Sequence, residues 1–237
     1  MRIKIICLVP FFLLFMSCEK QQEDAVVKNY GALRQLMSGD LSPTVSLDSL
    51  SQLQHLYALG AYENLNGEIQ IFDSNSFNSI EKDGSVIIDA TFKPKASLLV
   101  HAQVPSWVEF KIPLFIKTYK DLETFVKEQA QLNGWNMQKP FVFLIEGKVK
   151  RLDWHVINWK LGDTIHTHQK HKIAGLNGSV KNEPIQLLGF YSENHKGIFT
   201  HHSTFMHMHF KNNEETLAGH VDDILLSKSM ILKLPKQ

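Results

Sequence analysis

Short apolar runs follow one another along most of this chain, each cut off by Gly, Pro or Asn-Gly. Many alternate with polar residues. A period of two puts every second side chain on one face of an extended strand, so such runs call for sheets. Glu68-Ile69-Gln70-Ile71-Phe72 follows the Asn66-Gly67 turn as one such strand. Residues 85–92 follow Asp83-Gly84, and 97–104 and 108–112 are punctuated by Pro94, Pro105 and Pro113. Residues 141–145, 149–159, 205–210, 220–226 and 230–234 have the same character. Helical signals are few. One covers residues 30–37, and Leu47, Leu50, Leu53 and Leu56 fall on adjacent turns after Ser46. The clearest covers 118–132, where Thr118 and Asp121 form a variant capping box ahead of Leu122, Phe125 and Val126. Strands on both sides of one central helix predict an α+β protein with few helices. It has two mixed or antiparallel β-sheet parts, over residues 30–139 and 140–237.

The first residues read differently. Behind Arg2 and Lys4 lies an apolar run over 5–16. About a dozen residues fall short of the roughly 20 that span a bilayer, and this is the length of a signal-peptide core. The run ends in Leu14-Phe15-Met16-Ser17-Cys18, which resembles the lipobox of bacterial lipoproteins. That resemblance implies a signal peptide over 1–17, lipidation of Cys18, and a polar tether over 18–29. The expected location is a bacterial membrane, on the periplasmic or cell-surface side, held through the lipid anchor only. Cys7 is then removed and Cys18 is modified, so no disulfide forms and stability rests on the core.

Charge and motifs exclude several function classes. Lys+Arg 25 against Asp+Glu 24 leaves no basic excess, so no nucleic-acid partner is expected. The chain has no G-x-S-x-G elbow, phosphate-binding loop or dinucleotide fingerprint. Its twelve histidines are unevenly spread, with ten at or after His155, and this points to metal chemistry in the second half.

Three histidine sets deserve weighing. His207 and His209 flank Met208, and on a strand they present two imidazoles to one point while Met208 faces the core. His220 follows across a polar loop that lets a returning strand bring it alongside. Three neutral imidazoles with open positions suit zinc or another divalent ion. Packed or solvated histidines remain the alternative. His166, His168 and His171 lie in a polar stretch that reads as an exposed loop or edge strand. His201 and His202 point to opposite faces if extended.

His207-Met208-His209-Phe210, followed by Ala218-Gly219-His220-Val221-Asp222, resembles the metal motif of the bacterial α-acetolactate decarboxylases, H-x-H-F and then G-G-H-V. Residues 59–68, the 118–132 helix, a hairpin at 141–147 and a strand over 180–189 are similar to family segments in the same order, so the likeness spans roughly 30–235. It implies a carboxy-lyase that converts 2-acetolactate, or a related 2-hydroxy-3-keto acid, to acetoin and carbon dioxide with bound zinc. By motif match His207, His209 and His220 are the metal ligands and Glu68 is the acidic group beside them. A divalent ion stabilises the enolate charge left by decarboxylation, and a carboxylic acid can then protonate carbon.

The chain departs from the family at three places. His155 stands where the family has a substrate-gripping arginine, with Arg151 nearby on the same face. Ala61 replaces a threonine, and 17 residues after His220 leave no acidic tail to return to the metal (237 − 220). His155 is therefore the second candidate catalytic residue, within an altered substrate-gripping half. A non-catalytic metal- or ligand-binding lipoprotein of the same fold is the alternative. The expected partner is a small keto acid, with a homodimer as a further expectation.

Overall fold

The computed structural model describes residues 25–237; the signal segment, Cys7, Cys18 and the start of the tether lie outside the described residues. Two antiparallel sheets make up the body. The first contains β1 (Lys28–Tyr30), β2 (Val45–Ser46), β3 (Leu56–Tyr62), β4 (Glu68–Phe72), β5 (Asn75–Ser76), β6 (Asn78–Lys82), β7 (Ser85–Asp89) and β8 (Lys95–Gln103). Its order is β1-β8-β3-β4-β6-β7, with β2 on β8 and β5 on β4. The second contains β9 (Trp107–Lys111), β10 (Phe141–Lys148), β11 (Arg151–Ile157), β12 (Gly175–Lys181), β13 (Pro184–Tyr191), β14 (Met206–Asn212), β15 (Ala218–Leu225) and β16 (Ile231–Pro235). Its order is β12-β11-β15-β14-β13-β10-β16-β9. The helices are α1 (Leu33–Met37), α2 (Tyr119–Leu132) and α3 (His168–Ile173).

Alternation sorts the side chains into layers. Phe141, Phe143 and Ile145 of β10 face α2, which buries Leu122, Phe125, Val126 and Ala130 against them. Val142 and Leu144 face the other way and pack with Leu59, Leu98 and Val100 of the first sheet. The outer face of the first sheet holds Leu47, Leu50, Ala58 and Ile71. The capping box forms as expected: Thr118 Oγ1 accepts from the Asp121 amide at 3.2 Å, and Asp121 Oδ2 accepts from the Thr118 amide at 3.0 Å.

Four expectations need correction. The division near residue 140 falls earlier, because β9 pairs with β16 and α2 packs on the second sheet. The tether expected over 18–29 ends sooner: β1 pairs with β8, and Ala25 and Val27 pack into the inter-sheet core. The Leu47–Leu50 stretch makes only a 3-10 turn. His55 then adopts φ 53, and Leu56 starts β3 rather than continuing a helix. Residues 180–189 span the hairpin between β12 and β13, not one strand. The final strand, β16, lies inside the second sheet between β10 and β9.

Candidate functional site

Three neighbouring strands bring the histidines together. His155 of β11 pairs with His220 of β15, and His220 pairs with His209 of β14, so the three share one rung. Adjacent strands lie about 4.8 Å apart, and the rings follow that spacing. Centroids are 4.6 Å apart for His155 and His220, and 5.2 Å for His209 and His220. His207 closes a triangle, 5.0 Å from His209 and 5.1 Å from His220. Met206, Met208 and Phe210 of β14 pack toward α2, which leaves His207 and His209 facing between the sheets. One nitrogen from each of His207, His209 and His220 lies within 4.8 Å of the other two.

The first sheet fixes the tautomer of His209. Gln70 donates through its amide nitrogen to the Phe77 carbonyl at 2.6 Å and to Ser79 Oγ at 3.0 Å. Its oxygen therefore faces His209 Nδ1, 2.9 Å away, and accepts the proton there. Nε2 of His209 is left as a bare acceptor, 3.2 Å from Nε2 of His207. Two nitrogens bound to a tetrahedral zinc at 2.0–2.1 Å stand about 3.4 Å apart. Burial lowers the pKa of all three rings, and the neighbouring imidazoles lower those of His209 and His220 further. His207 is lowered to about 4. The rings are thus neutral near pH 7 with lone pairs available, and His207 Nδ1 and His220 Nδ1 have no hydrogen-bond partner. This donor set fits a zinc-type divalent ion.

Glu68 comes from the opposite sheet. Gly67 precedes it at φ 152, and a Cβ there would fall 2.6 Å from the Ser79 carbonyl oxygen. Glycine is what permits the tight turn that delivers Glu68. Glu68 is only 4% exposed. Its Oε1 accepts from the Ile157 amide at 3.3 Å and lies 3.6 Å from His155 Nε2; its Oε2 lies 3.8 Å from His209 Nε2. Burial pushes its pKa up to about 7 and Asp222 adds to the rise, against the pull of His155 and the Ile157 amide.

His155 is buried and held from behind. Its Nδ1 is 3.0 Å from Asp222 Oδ2, and Asp222 Oδ1 is 3.1 Å from Lys172 Nζ. Burial pushes Asp222 up, but the bond and charge of His155, with Lys172, outweigh it and hold the carboxyl below its usual range. Asp222 reaches this place through a bulge: Asp153 pairs with Asp223 and Trp154 with Val221, so Asp222 is the extra residue.

These groups border a cavity of about 290 Å3, lined by Glu68, His155, His207, His220, Asp222 and Lys172 together with apolar residues. The 166–171 stretch, expected as an exposed loop or edge strand, instead folds in part into α3. There His168 and His171 line the cavity. His166 Nδ1 is 3.0 Å from His171 Nε2 and its ring stacks on Trp159. His201 lines the cavity, while His202 lies near Gly197. Arg151 is bound to Asp153 at 3.1 Å and Asp223 at 3.0 Å and borders a different surface pocket. Lys172 is the one lysine or arginine among the described residues lining the cavity. Ala61, paired with Glu68 across β3 and β4, forms part of its wall.

Sequence reasoning passed over Gln70, Asp222 and Lys172. Gln70 lies two residues from Glu68 on a strand and so shares its face, which was a usable signal. Asp222 stands two residues after His220, but the bulge that aims it was not legible. Lys172 sits in a polar stretch with no pattern of its own.

The family model for alpha-acetolactate decarboxylase matches residues 27–234. No functionally curated protein matches the sequence. Similar solved structures include acetolactate decarboxylase from Bacillus subtilis subspecies spizizenii, 16% identical with a TM-score of 0.73, covering 90% of this chain and 87% of that one. Another is alpha-acetolactate decarboxylase from Bacillus subtilis strain 168, 15% identical with a TM-score of 0.70, covering 90% and 86%. A Staphylococcus aureus protein of unknown function, similar to alpha-acetolactate decarboxylase, is 16% identical with a TM-score of 0.70, covering 88% and 84%. At such identities the structures speak for the fold alone, whereas the family match runs through nearly all the described residues. By that match the chain belongs to the alpha-acetolactate decarboxylase family.

Proposed function

We propose that this protein decarboxylates 2-acetolactate or a related 2-hydroxy-3-keto acid, releasing carbon dioxide and, from 2-acetolactate, acetoin. One observation carries the proposal: three neutral imidazoles converge beside a buried carboxyl group in a cavity, within a chain of this family. His207, His209 and His220 would hold zinc or another divalent ion. When bound, that ion supplies Lewis acidity for the negative charge that gathers on the ketone oxygen as carbon dioxide leaves.

The chain's own residues do the rest. Lys172 offers the positive charge against which the departing carboxylate rests before the carbon–carbon bond breaks. Glu68 stands within reach of the reacting carbon and gives it a proton, then recovers one from water. His155, oriented by Asp222, packs its Nε2 against Glu68 and keeps that carboxyl in one place. The walls from both sheets limit bulk water at the carbon.

The test is to load the purified protein with zinc and supply racemic 2-acetolactate. The expected result is about one zinc per chain and acetoin formation that chelation abolishes. Bound zinc without turnover of this or any 2-hydroxy-3-keto acid would sink the proposal.

We further propose that the protein is exported and anchored through Cys18, on the strength of the apolar run over 5–16 and the Ser17-Cys18 junction. Metabolic labelling with palmitate should mark the native chain and leave a Cys18→Ala variant unmarked.

A further inference from the structure

The cavity has two unlike ends. Lys172, His168 and His201 gather at one side, with the His168 and His201 rings 4.1 Å apart. Elsewhere its wall includes the apolar Leu33, Leu36, Ala61, Leu65, Leu98 and Phe199, with the hydroxyl-bearing Tyr119, Ser203 and Thr204 also in the lining. All six apolar residues except Leu33 belong to the buried inter-sheet core, and Leu33 packs against that core. The chamber is preformed: α1 is pinned to the loop carrying Phe199 by the Leu33 amide to the Ile198 carbonyl at 2.7 Å and the Arg34 amide to the Gly197 carbonyl at 2.9 Å. None of the six apolar side chains offers a hydrogen bond.

A five-carbon acid has roughly the bulk of four or five waters at about 30 Å3 each. It would fill about half of the 290 Å3. Its carboxylate, hydroxyl and ketone belong at the polar end, beside Lys172 and the imidazoles. Only its two methyl groups would then be left for the apolar wall. Water is a poor occupant beside those six side chains, because a buried water needs two to four polar partners and none of the six offers one.

We infer that the substrate carries an apolar substituent larger than methyl, an alkyl group of about three to five carbons on the hydroxyl-bearing carbon, seated among Leu36, Leu65, Leu98 and Phe199. The inference rests on the decarboxylase reading above and names the substrate class within it. The reaction keeps its balance: the carbon–carboxylate bond breaks, carbon dioxide leaves, and one proton replaces it to give a longer 2-hydroxy ketone.

Two measurements test this. The first is kcat/KM of the zinc-loaded protein for racemic 2-alkyl-2-hydroxy-3-oxobutanoates from methyl to pentyl. The expected result is a rise of roughly fourfold per added methylene until the chamber is full, more than tenfold by propyl, carried by KM. The second is calorimetric binding of unreactive 2-alkyl-2-hydroxy acids that lack the ketone, which should tighten along the same series. A Leu98→Phe variant, filling the chamber, should lose the gain for long chains by at least tenfold in KM.

The outcomes separate the two ideas. Turnover and binding that are best for methyl and decline with length overturn the inference and leave the decarboxylase reading intact. Binding that tightens with length, with no turnover of any member, upholds the apolar seat and overturns the decarboxylase reading. Neither binding nor turnover overturns both.

Discussion

Which nitrogen of His209 is free for a metal is decided by one amide on another sheet. Gln70 accepts from Nδ1 because its own amide nitrogen is already committed to Phe77 and Ser79. Partners that orient a ligating histidine commonly govern metal affinity by 10–100-fold. A Gln70→Ala variant should therefore bind zinc roughly 10–100-fold more weakly in a chelator competition while unfolding at a similar temperature. Unchanged affinity would show that His209 is oriented by packing alone. Glu68→Gln tests a different role at the same site. It keeps the shape and should keep the zinc, since the three imidazoles are untouched, but acetoin formation should fall at least a hundredfold. Ordinary turnover in that variant would remove Glu68 from the chemistry.

Among the elements, α2 is the one whose full account is local. Thr118 and Asp121 satisfy each other's backbone amides, and Leu122, Phe125 and Val126 recur at helical spacing to cover β10. Thr118→Ala removes one side of that box and should cost about 1 kcal/mol of stability in urea unfolding. Loss of well under that amount would mean Asp121 suffices as the cap. The leucines at 47, 50, 53 and 56 show the opposite case. Their spacing suits an α-helix, yet Leu56 belongs to β3, and its backbone is satisfied by Ser74, whose Oγ accepts from the Leu56 amide at 3.1 Å and whose amide donates to the Leu56 carbonyl at 2.8 Å. Between β10 and β13 the fit is close: Gly189 lies opposite Phe143, and a Cβ on it would come within 2.1 Å of the ring. Gly189→Ala should thus lower the unfolding midpoint, by about 1–3 kcal/mol in stability, and an unaffected midpoint would mean that Phe143 can swing aside.

The segments that cover the outer face of the first sheet bury a group that an open sheet would leave in water. His101 of β8 is 4% exposed, and neither ring nitrogen has a hydrogen-bond partner. Burial, with a smaller push from Lys28, lowers its pKa to about 4 from an ordinary 6.5. The unfolded chain takes up a proton as the pH falls below that ordinary value, and the folded chain does not until about pH 4. The resulting loss of stability is absent above about pH 6.5 and approaches roughly 3 kcal/mol near pH 4. His101→Leu should flatten the pH dependence of the urea midpoint across that window. An equally steep fall in the variant would place the acid sensitivity elsewhere.

Much of this architecture was legible along the chain. The strands, the capped helix and the two imidazoles of His207 and His209 all follow from periods of two or of 3.6, which are properties of neighbouring residues. The return of His220 beside them followed from a short loop. What the tertiary structure alone decided is everything that joins distant segments: Gln70 behind His209, Glu68 over the site, Lys172 and the α3 histidines in its wall, and Asp222 turned inward by one extra residue in β15. A strand's own pattern says which residues share a face. It carries no record of what the facing sheet will set against them, nor of a bulge, because those depend on pairing between residues far apart in sequence.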